Sequence, residues 1–265
     1  MARCRPDAIC SGPMHRAARL SAILERLADG GSVAVADLAD DLAASPATIR
    51  RDLVHLERQR LLERTHGGAV AHAVSYELPL RYKGVRHSEA KRRIAEVAAA
   101  YASEGMAIGL TGGTTATEVA RALADHQKLT IVTNALNVAA ELAVRPKLKL
   151  IVTGGVVRTE SYELSGPIAE ASLTGLNLDV AFIGVDGIDA KAGCTTYQEV
   201  EAHTNGVMIR CSRRVVVVAD SSKIGKVAFA RICEVTAVSE LITDDAADAD
   251  AVRALTEAGV RVTFV

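Results

Sequence analysis

Apolar and polar positions alternate with helical spacing in the first part of the chain. Apolar residues stand at i, i+3, i+4 and i+7 within 20–27, which predicts a helix with one buried face that ends at Gly30 and Gly31. The same spacing within 35–44 predicts a second short helix. Ser45 and Pro46 predict the start of a third helix, because serine caps free amides and proline is tolerated at the first helical position.

A hairpin is predicted directly after the third helix. The stretch LLERTHGGAV at 61–70 has two short segments around a Gly-Gly pair, which indicates two strands joined by a turn. Arg64 and His66 fall near the tip of this hairpin. Three short helices and a two-stranded hairpin of this kind form a winged helix-turn-helix. Residues near the tip of such a wing usually touch a phosphate backbone.

Strands and helices alternate from residue 88 to the end of the chain. Short apolar runs predict strands at 106–110, 129–133, 148–154, 179–187, 213–220, 240–244 and 260–265. Amphipathic stretches between them predict helices at 114–124, 136–144, 199–212 and 247–258. This alternation favours a mainly parallel sheet covered by helices. The expected fold class is therefore α+β multidomain, with a small winged helix-turn-helix followed by an α/β domain.

Domain boundaries follow from these patterns. Residues 1–14 show neither the helical nor the strand period of apolar residues and are predicted to be a disordered extension. The winged helix-turn-helix is expected at 15–72, a linker at 73–90 and the α/β domain at 91–265.

Composition limits the possible partners and sites. The 265 residues include 31 basic and 32 acidic side chains, a net charge of -1, so a nucleic acid or a membrane would have to meet a local patch. The five cysteines are scattered without a C-x-x-C pair, and the histidines have no ligand spacing, so no disulfide, metal site or cofactor is predicted. All apolar runs are shorter than the roughly 20 residues that span a bilayer. A cytoplasmic protein without a membrane partner is expected.

The predicted third helix has a basic face. Ile49, Leu53 and Leu56 share one side of the helix and are predicted to be buried. The opposite side carries Ala47, Thr48, Arg50, Arg51, His55 and Arg58. Small residues at its front allow close approach to a major groove, and arginine can donate two hydrogen bonds to a guanine edge or to phosphates. These features predict a recognition helix for double-stranded DNA, with a solvated basic face as the alternative.

The positive charge near this helix is modest. Residues 43–68 hold five arginines against three acids, a net charge of +2. One copy should bind DNA weakly, so a homo-oligomer, dimer or tetramer, is expected to raise the avidity. The segment 71–93 holds six cations against two acids. Two interpretations stay open for it: a hinge along the DNA backbone, or a solvated linker leading into a helix capped at Ser88.

Polar residues follow strand after strand in the second part of the chain. TGGTTAT at 111–117 follows the first strand and begins a helix, which suits a phosphate because free amides and the helix dipole point there. Asn134, the pair Gly154 and Gly155, Asp186, and the run 220–223 follow later strands. Each alone is explained by a turn or a helix cap. Their recurrence at the carboxyl ends of parallel strands predicts a pocket for a small anion.

The first domain resembles a known family. The run SPATIRRDLVHLE at 45–57, followed by HGGA, is similar to the winged helix-turn-helix of the DeoR family of bacterial transcriptional regulators. The resemblance implies that Thr48, Arg50 and Arg51 contact an operator and that Asp52 braces the helix. The candidate DNA-binding residues are Ser45, Thr48, Arg50, Arg51, His55, Arg64, His66 and Gly67.

The second domain resembles the sensor domain of the same family. TGGTTATEVARAL, VTNALNVAAEL, VTGGVVR, LSGP, FIGVDGI and VADSSKIGKVAFARI occur in matching order over 75–245. The resemblance implies a fold like ribose phosphate isomerase and a phosphorylated sugar as effector. Thr111 and Asn205 depart from the family pattern, which often has Asp and Lys there. The candidate effector-binding residues are Thr111, Gly112, Gly113, Thr114, Thr115, Asn134, Gly154, Gly155, Asp186, Glu201 and Lys223.

Three functions are compatible with these residues. The DNA-reading module argues against catalysis, and the resemblance implies a repressor of carbohydrate genes whose operator binding responds to a phosphorylated sugar. An isomerase-like enzyme is the alternative, with Asp186 or Glu201 as base and Lys223 stabilising an enediolate. An architectural DNA-binding protein with an inert second domain is a third possibility, which the polar strand ends disfavour.

Overall fold

The computed structural model describes residues 14–71, 79–84 and 87–265. The chain divides into two compact units, 1–86 and 87–265. Residues 1–13 of the predicted disordered extension lie outside the described residues. So do residue 72, the last of the predicted winged helix-turn-helix, and residues 73–78 and 85–86 of the predicted linker.

The first unit consists of four helices and a small sheet among its described residues. The helices are α1 (Arg16–Gly30), α2 (Val35–Asp41), α3 (Pro46–Arg58) and α4 (Leu80–Lys83), and the strands are β1 (Ser32–Ala34), β2 (Glu63–Arg64) and β3 (Gly68–Val70). Buried apolar residues from α1, α2, α3 and the sheet form one core. The predicted helices and their buried faces are confirmed, because this core takes the apolar positions of the helical pattern.

The wing differs from the predicted two-stranded hairpin. The sheet has three strands in the order β1-β3-β2, all antiparallel. β1 pairs Ala34 with Gly68, and the close approach leaves no room for a side chain at Gly68. The prediction missed β1 because its three residues are too short to show a period of two.

Alanine at Gly68 should destabilise the first unit. A Cβ atom there would lie 1.8 Å from the carbonyl oxygen of Val33, whereas a Cβ at Gly67 would meet nothing within 4 Å. Gly68→Ala is therefore expected to cost about 1–3 kcal/mol of unfolding free energy, while Gly67→Ala should stay within about 0.5 kcal/mol of wild type. Urea unfolding of both variants measures the difference. Equal stabilities would contradict the packing of β1 on β3.

Part of the predicted linker packs onto the first unit. Helix α4 places the side chain of Tyr82 in the core of that unit, and the Tyr82 hydroxyl donates a hydrogen bond to Gln59 Oε1 at 2.6 Å. Arg81 Nη2 donates to the same oxygen at 3.1 Å. Neither open interpretation of the linker, a hinge along DNA or a solvated segment, included this packing.

The second unit alternates strands and helices. Its strands are β4 (Ala107–Leu110), β5 (Thr130–Thr133), β6 (Lys149–Val152), β7 (Val156–Val157), β8 (Leu164–Ser165), β9 (Val180–Ile183), β10 (Gly187–Asp189), β11 (Gly193–Thr196), β12 (Val215–Val218), β13 (Ala230–Cys233), β14 (Glu240–Thr243) and β15 (Arg261–Phe264). Its helices are α5 (Ser88–Ala99), α6 (Thr114–Leu123), α7 (Leu136–Leu142), α8 (Pro167–Leu173), α9 (Glu199–Arg210) and α10 (Ala249–Glu257). Short 3-10 turns occur at Ser221–Lys223 and Val235–Ala237.

A seven-stranded parallel sheet forms the centre of this unit. Its order is β15-β14-β12-β9-β4-β5-β6, and every neighbouring pair is parallel. Alternate residues of β9 face two different cores: Val180 and Phe182 pack with α5, α6 and α7, whereas Ala181 and Ile183 pack with α9 and α10. Burial on both faces explains why the central strands are continuous apolar runs. The predicted fold class is confirmed.

Two smaller sheets were not predicted. β7 and β8 form an antiparallel hairpin, and β10, β11 and β13 form a three-stranded sheet. Helix α5 also begins differently from the prediction, since Ser88 is its first residue and His87, with φ of 51°, is the cap. The predicted cap at Ser88 is therefore wrong, because Ser88 lies inside the helix. His87, at the cap position, makes no side-chain capping hydrogen bond.

Within the part of the chain that the structure describes, none of the helices combines the length and the apolar character needed to cross a bilayer.

Candidate functional site

Helix α3 presents two arginines to solvent. Ile49, Leu53 and Leu56 are at most 1% exposed, which confirms the predicted buried stripe. Arg50 and Arg51 are exposed on the other side of the helix. Since the apolar side of α3 is held by the core of the first unit, the guanidinium groups are positioned on a rigid element.

The start of α3 is capped as the sequence predicts. Ser45 Oγ accepts a hydrogen bond from the Thr48 amide at 3.2 Å, and the two hydroxyls are 2.9 Å apart. Pro46 occupies the first helical turn. Ser45 and Thr48 therefore fix the amino end of α3, and both remain candidates for a contact with DNA because Ser45 is exposed and Thr48 is half-buried.

Asp52 braces α3 against α1. Its side chain is 4% exposed and accepts a hydrogen bond from Arg19 Nε at 2.6 Å, while Arg16 Nε lies 3.6 Å away. The Arg19 side chain is 12% exposed, so this ion pair is largely removed from water. The prediction that Asp52 holds the helix is confirmed.

The remaining candidate DNA contacts differ in exposure. His55 is half-buried, and its Nε2 atom lies 2.9 Å from Gln59 Nε2. Arg64 on β2 is exposed and lies 3.5 Å from Glu57 Oε2. His66 and Gly67 are exposed in the turn of the wing.

The sheet of the second unit reverses its strand order between β4 and β9. From β4 the chain proceeds through β5 to β6 on one side, and then returns to β9 on the other. The carboxyl ends at such a reversal form a crevice in open α/β sheets. Here the loops after β4 and β9 meet, since the Gly184 amide donates to Thr111 Oγ1 at 2.9 Å.

Thr111 links these two loops. It is fully buried, and its amide also donates to the Phe182 carbonyl at 3.3 Å. The next residues open toward the surface: Gly113 caps α6 with φ of 109°, and Thr114 is half-buried at the first turn, whereas Thr115 is buried. The structure thus gives Thr111 a role inside the loop and leaves Gly113 and Thr114 accessible.

Glu163 occupies the space beside Gly112. A Cβ atom at Gly112 would lie 2.3 Å from Glu163 Oε1, so the glycine is required by this contact. Glu163 Oε2 accepts hydrogen bonds from Asn134 Nδ2 at 3.2 Å and from Asn205 Nδ2 at 3.1 Å. Asn134 Nδ2 also donates to Asn205 Oδ1 at 3.0 Å. Asn205, noted above as a departure from the family pattern, is therefore part of a buried amide and carboxyl cluster.

The Glu163 carboxyl is held protonated at neutral pH. Burial, together with the nearby Glu201 charge, raises the pKa of Glu163 to about 8, and the hydrogen bonds from Asn205 and Asn134 oppose the shift. Sequence reasoning missed Glu163 because it lies in the unpredicted β7–β8 hairpin. The run LSGP, which begins at Leu164, was used only for the family resemblance.

Glu201 is tied to the same hairpin. Its carboxylate is 3% exposed and accepts a hydrogen bond from Arg158 Nη1 at 2.9 Å and another from the Ser161 hydroxyl. Arg158 lies between β7 and β8, and Glu201 is on α9. Glu201 thus fixes the hairpin to α9, while its charge acts on Glu163.

Asp186 and Lys223 come together at the carboxyl ends of β9 and β12. Lys223 Nζ lies 3.6 Å from Asp186 Oδ1, and the Thr196 hydroxyl donates to Asp186 Oδ2 at 3.0 Å. The Lys223 side chain is 27% exposed, and Gly184 is also half-buried. Lys223, Gly184 and, in the β4 loop, Gly113 and Thr114 are thus partly exposed at the carboxyl ends of neighbouring strands.

Two other predicted features have different surroundings. Asp220, which follows β12 and caps the 3-10 turn Ser221–Lys223, is buried and pairs with Lys91 at 3.7 Å. Lys91, one of the six cations counted over 71–93, is thus a buried residue of α5 in the second unit. A Cβ atom at Gly154 would meet Ile168, and one at Gly155 would meet Ser165 and Ala169, so these glycines pack beside β8 and α8.

Comparison with known proteins gives matches over both units. A family model described as DeoR-like helix-turn-helix domain matches residues 19–73, and one described as DeoR C terminal sensor domain matches residues 86–245. A putative aga operon transcriptional repressor from Escherichia coli O157:H7 is 35% identical over 93% of this chain and 93% of its own length. The glycerol-3-phosphate regulon repressor from Escherichia coli K12 is 32% identical over 92% of this chain and 97% of its own.

Among solved structures, a ribose 5-phosphate isomerase from Methanocaldococcus jannaschii is similar with a TM-score of 0.39 and 19% identity, over 52% of this chain and 54% of that one.

Proposed function

The chain belongs to the DeoR family of transcriptional regulators, and on this premise we propose that it represses carbohydrate genes by binding an operator that a phosphorylated sugar releases. The aga operon and glycerol-3-phosphate regulon repressors, which are similar over nearly their whole length, support repression and a carbohydrate target. This activity requires access to the chromosome, so the protein acts in the cytoplasm.

The observation that carries the proposal is the outer face of α3. Its two adjacent arginines are exposed on a helix that is capped at Ser45 and braced at Asp52. Arg50 and Arg51 donate to base edges or phosphates of a major groove. Ser45, Thr48 and His55 on or beside α3, and Arg64, His66 and Gly67 on the wing, supply further contacts to the phosphate backbone.

Removing one guanidinium from α3 tests the operator contact. Arg51→Ala is expected to cost about 1–3 kcal/mol of operator binding, a loss of roughly 5- to 150-fold in affinity, because a bidentate contact to a base is lost. Fluorescence anisotropy with a labelled operator duplex measures the affinity. Arg253→Ala removes an exposed guanidinium from α10 and is the matched control. Equal affinities of wild type and Arg51→Ala would contradict the assignment of α3.

The salt dependence distinguishes the two kinds of contact. A base contact changes discrimination between operator and random DNA, whereas a phosphate contact lowers both affinities and reduces the slope of log K against log salt by roughly 1. Both slopes are measured with the same two variants.

We place the effector site at the carboxyl ends of β4, β9 and β12. The free amides of Gly113, Thr114 and Thr115 at the start of α6 hold the phosphate, assisted by the Lys223 ammonium. Asp186 orients Lys223 and accepts from sugar hydroxyls. Glu163 forms one wall of this site, where Gly112 and Asn134 contact it and the Glu201 charge acts on it. Thr111 joins the β4 and β9 loops through Gly184. Gly154 and Gly155 pack beside β8 and α8 and allow the β7–β8 hairpin to turn back over the site. By linkage, effector and operator weaken each other equally.

Lys223→Ala should separate the two activities. Operator affinity should stay at the wild-type value, while the effector concentration for half-release should rise roughly 10-fold or more, because a charge-assisted hydrogen bond contributes about 1.5–3 kcal/mol. A thermal-shift screen of pentose, hexose and triose phosphates identifies the effector first, and anisotropy then follows release. The control is Lys226→Ala, an exposed lysine three positions further along the chain. Lost operator binding with intact effector response would place the pocket elsewhere.

Two further statements belong to the proposal. The protein is a homo-oligomer, a dimer or tetramer, because the net +2 charge around α3 requires avidity. It senses sugar phosphates without turning them over: similar proteins are named as regulators, and Glu201, a candidate base, is engaged by Arg158 and Ser161. Product formation on incubation with sugar phosphates would favour the isomerase-like alternative.

A further inference from the structure

Two cysteines of the second unit face each other across neighbouring strands. Cys194 on β11 and Cys233 on β13 are partners in the antiparallel register, next to a shift of register between Cys194 and Thr195. Opposed residues of an antiparallel pair have Cα atoms about 4.5–5.5 Å apart, inside the range of about 4.4–6.8 Å that disulfides require. The register therefore places the two Cα atoms within the range that a disulfide can bridge.

The backbone keeps the strands close at this position. A Cβ atom at Gly193 would lie 2.1 Å from the Cys233 carbonyl oxygen, so a glycine permits the approach. On its other side β11 pairs with β10, which fixes its position in the small sheet. The cysteine pair is thus held by the fold.

The two thiols have different surroundings. Cys194 is fully buried, whereas Cys233 is half-buried. The Cys194 thiol donates a hydrogen bond to the Cys233 sulfur, which lowers the pKa of Cys233 against the opposing effects of burial and of Glu234. The same hydrogen bond, with burial, raises the pKa of Cys194. Since the thiolate is the reactive form, the partial exposure and the lowered pKa of Cys233 favour it as the nucleophile, with Cys194 as the resolving partner.

We propose that Cys194 and Cys233 form a redox-modification site at which a peroxide produces an intrachain disulfide. The Cys233 thiolate attacks a peroxide oxygen, the O–O bond breaks, and water leaves after protonation, so that Cys233 becomes a sulfenic acid. The Cys194 sulfur then attacks the Cys233 sulfur, the S–S bond forms, the S–O bond breaks, and a second water carries away the Cys194 proton. The two thiols lose two electrons and the peroxide gains them.

The Cys194–Cys233 pair lies close to Asp186 of the proposed effector site. Thr195, next to Cys194, accepts a hydrogen bond from the Asp186 amide at 3.0 Å through its carbonyl, and its hydroxyl donates to the Gly187 carbonyl at 3.2 Å. A disulfide between β11 and β13 would therefore restrain β11, whose Thr195 carbonyl holds the Asp186 amide.

Peptide mapping of the full-length protein tests the proposal. Reduced protein is treated with a small excess of hydrogen peroxide, alkylated with iodoacetamide and digested with trypsin. The cleavage sites Lys191, Arg210 and Arg231 place Cys194, Cys211 and Cys233 in separate peptides. The expected product joins the Cys194 and Cys233 peptides with the loss of two hydrogen atoms, and dithiothreitol releases both. Recovery of the two peptides separately alkylated after peroxide would overturn the proposal.

Variants separate the pair from unspecific oxidation. Cys211→Ser alters another half-buried thiol, whose sulfur hydrogen-bonds the Leu173 carbonyl, and should leave the cross-link unchanged. Cys194→Ala should abolish the cross-link and leave a Cys233 sulfenic acid that dimedone traps. Cross-links that join Cys211 as often as Cys194 to Cys233 would also overturn the proposal. These readouts do not depend on DNA or effector binding.

Discussion

Asp52→Ala is expected to destabilise the first unit by about 3–5 kcal/mol, because it removes one partner of a buried ion pair and leaves the Arg19 guanidinium without its carboxylate. Arg19 is only 12% exposed and cannot regain full hydration without movement of α1. Hydrogen exchange of the α1 and α3 amides in the full-length protein measures the free energy of opening of this unit separately.

A surface ion pair of the same unit provides the control for Asp52. Arg26 Nε lies 3.3 Å from Asp41, and the two side chains are 38% and 54% exposed. Asp41→Ala should change the same opening free energy by no more than about 1 kcal/mol, since exposed pairs contribute little. If both variants lose equal stability, burial of the Asp52 pair does not brace α3.

Glu163 should make the second unit less stable as pH rises from about 5 to about 8. The pKa of Glu163 is raised from 4.5 to about 8 in the folded chain, so between these values the folded state keeps a proton that the unfolded state has released. The free energy of unfolding therefore falls in this window by about 1.4 kcal/mol per pH unit, as long as Glu163 is protonated in the folded state and ionised in the unfolded state. Below the unfolded pKa the full contribution is present, and it is lost as pH passes the folded value.

Glu163→Gln isolates this contribution from those of other carboxyls. The variant keeps an amide oxygen for Asn134 and Asn205 but cannot ionise, so its unfolding free energy should fall less between pH 5 and 8 than that of wild type. Urea unfolding at several pH values measures the difference, and Glu199→Gln, an exposed residue at the start of α9, is the control. A wild-type minus Glu163→Gln difference that is constant with pH would contradict the raised pKa.

Elements with a strong local pattern were predictable from the sequence. The buried stripe of α3 repeats at helical spacing, and Ser45 and Pro46 mark its start. The run Val215–Val218 is uniformly apolar, which predicts a strand of a parallel sheet because such strands are buried on both faces. The pairing of Lys223 with Asp186 agrees with the general rule that the carboxyl ends of parallel strands meet at one edge.

Features made by short segments were not predictable in the same way. The strand β1 has three residues, and β7 and β8 have two each, too few to show a period. Because the β7–β8 hairpin was not predicted, Glu163 was not among the predicted site residues.

The sequence by itself determined the two-part architecture, the α3 surface and the polar strand ends, because each of these follows from a local pattern of apolar and polar residues. The tertiary structure alone decided which polar groups meet: Asn134 with Glu163 across 29 positions, Lys91 with Asp220, and Cys194 with Cys233. Such pairs have no periodic signal, since their distance depends on how the chain returns. Burial then sets their chemistry, as it does for the carboxyl of Glu163 and the thiol of Cys194.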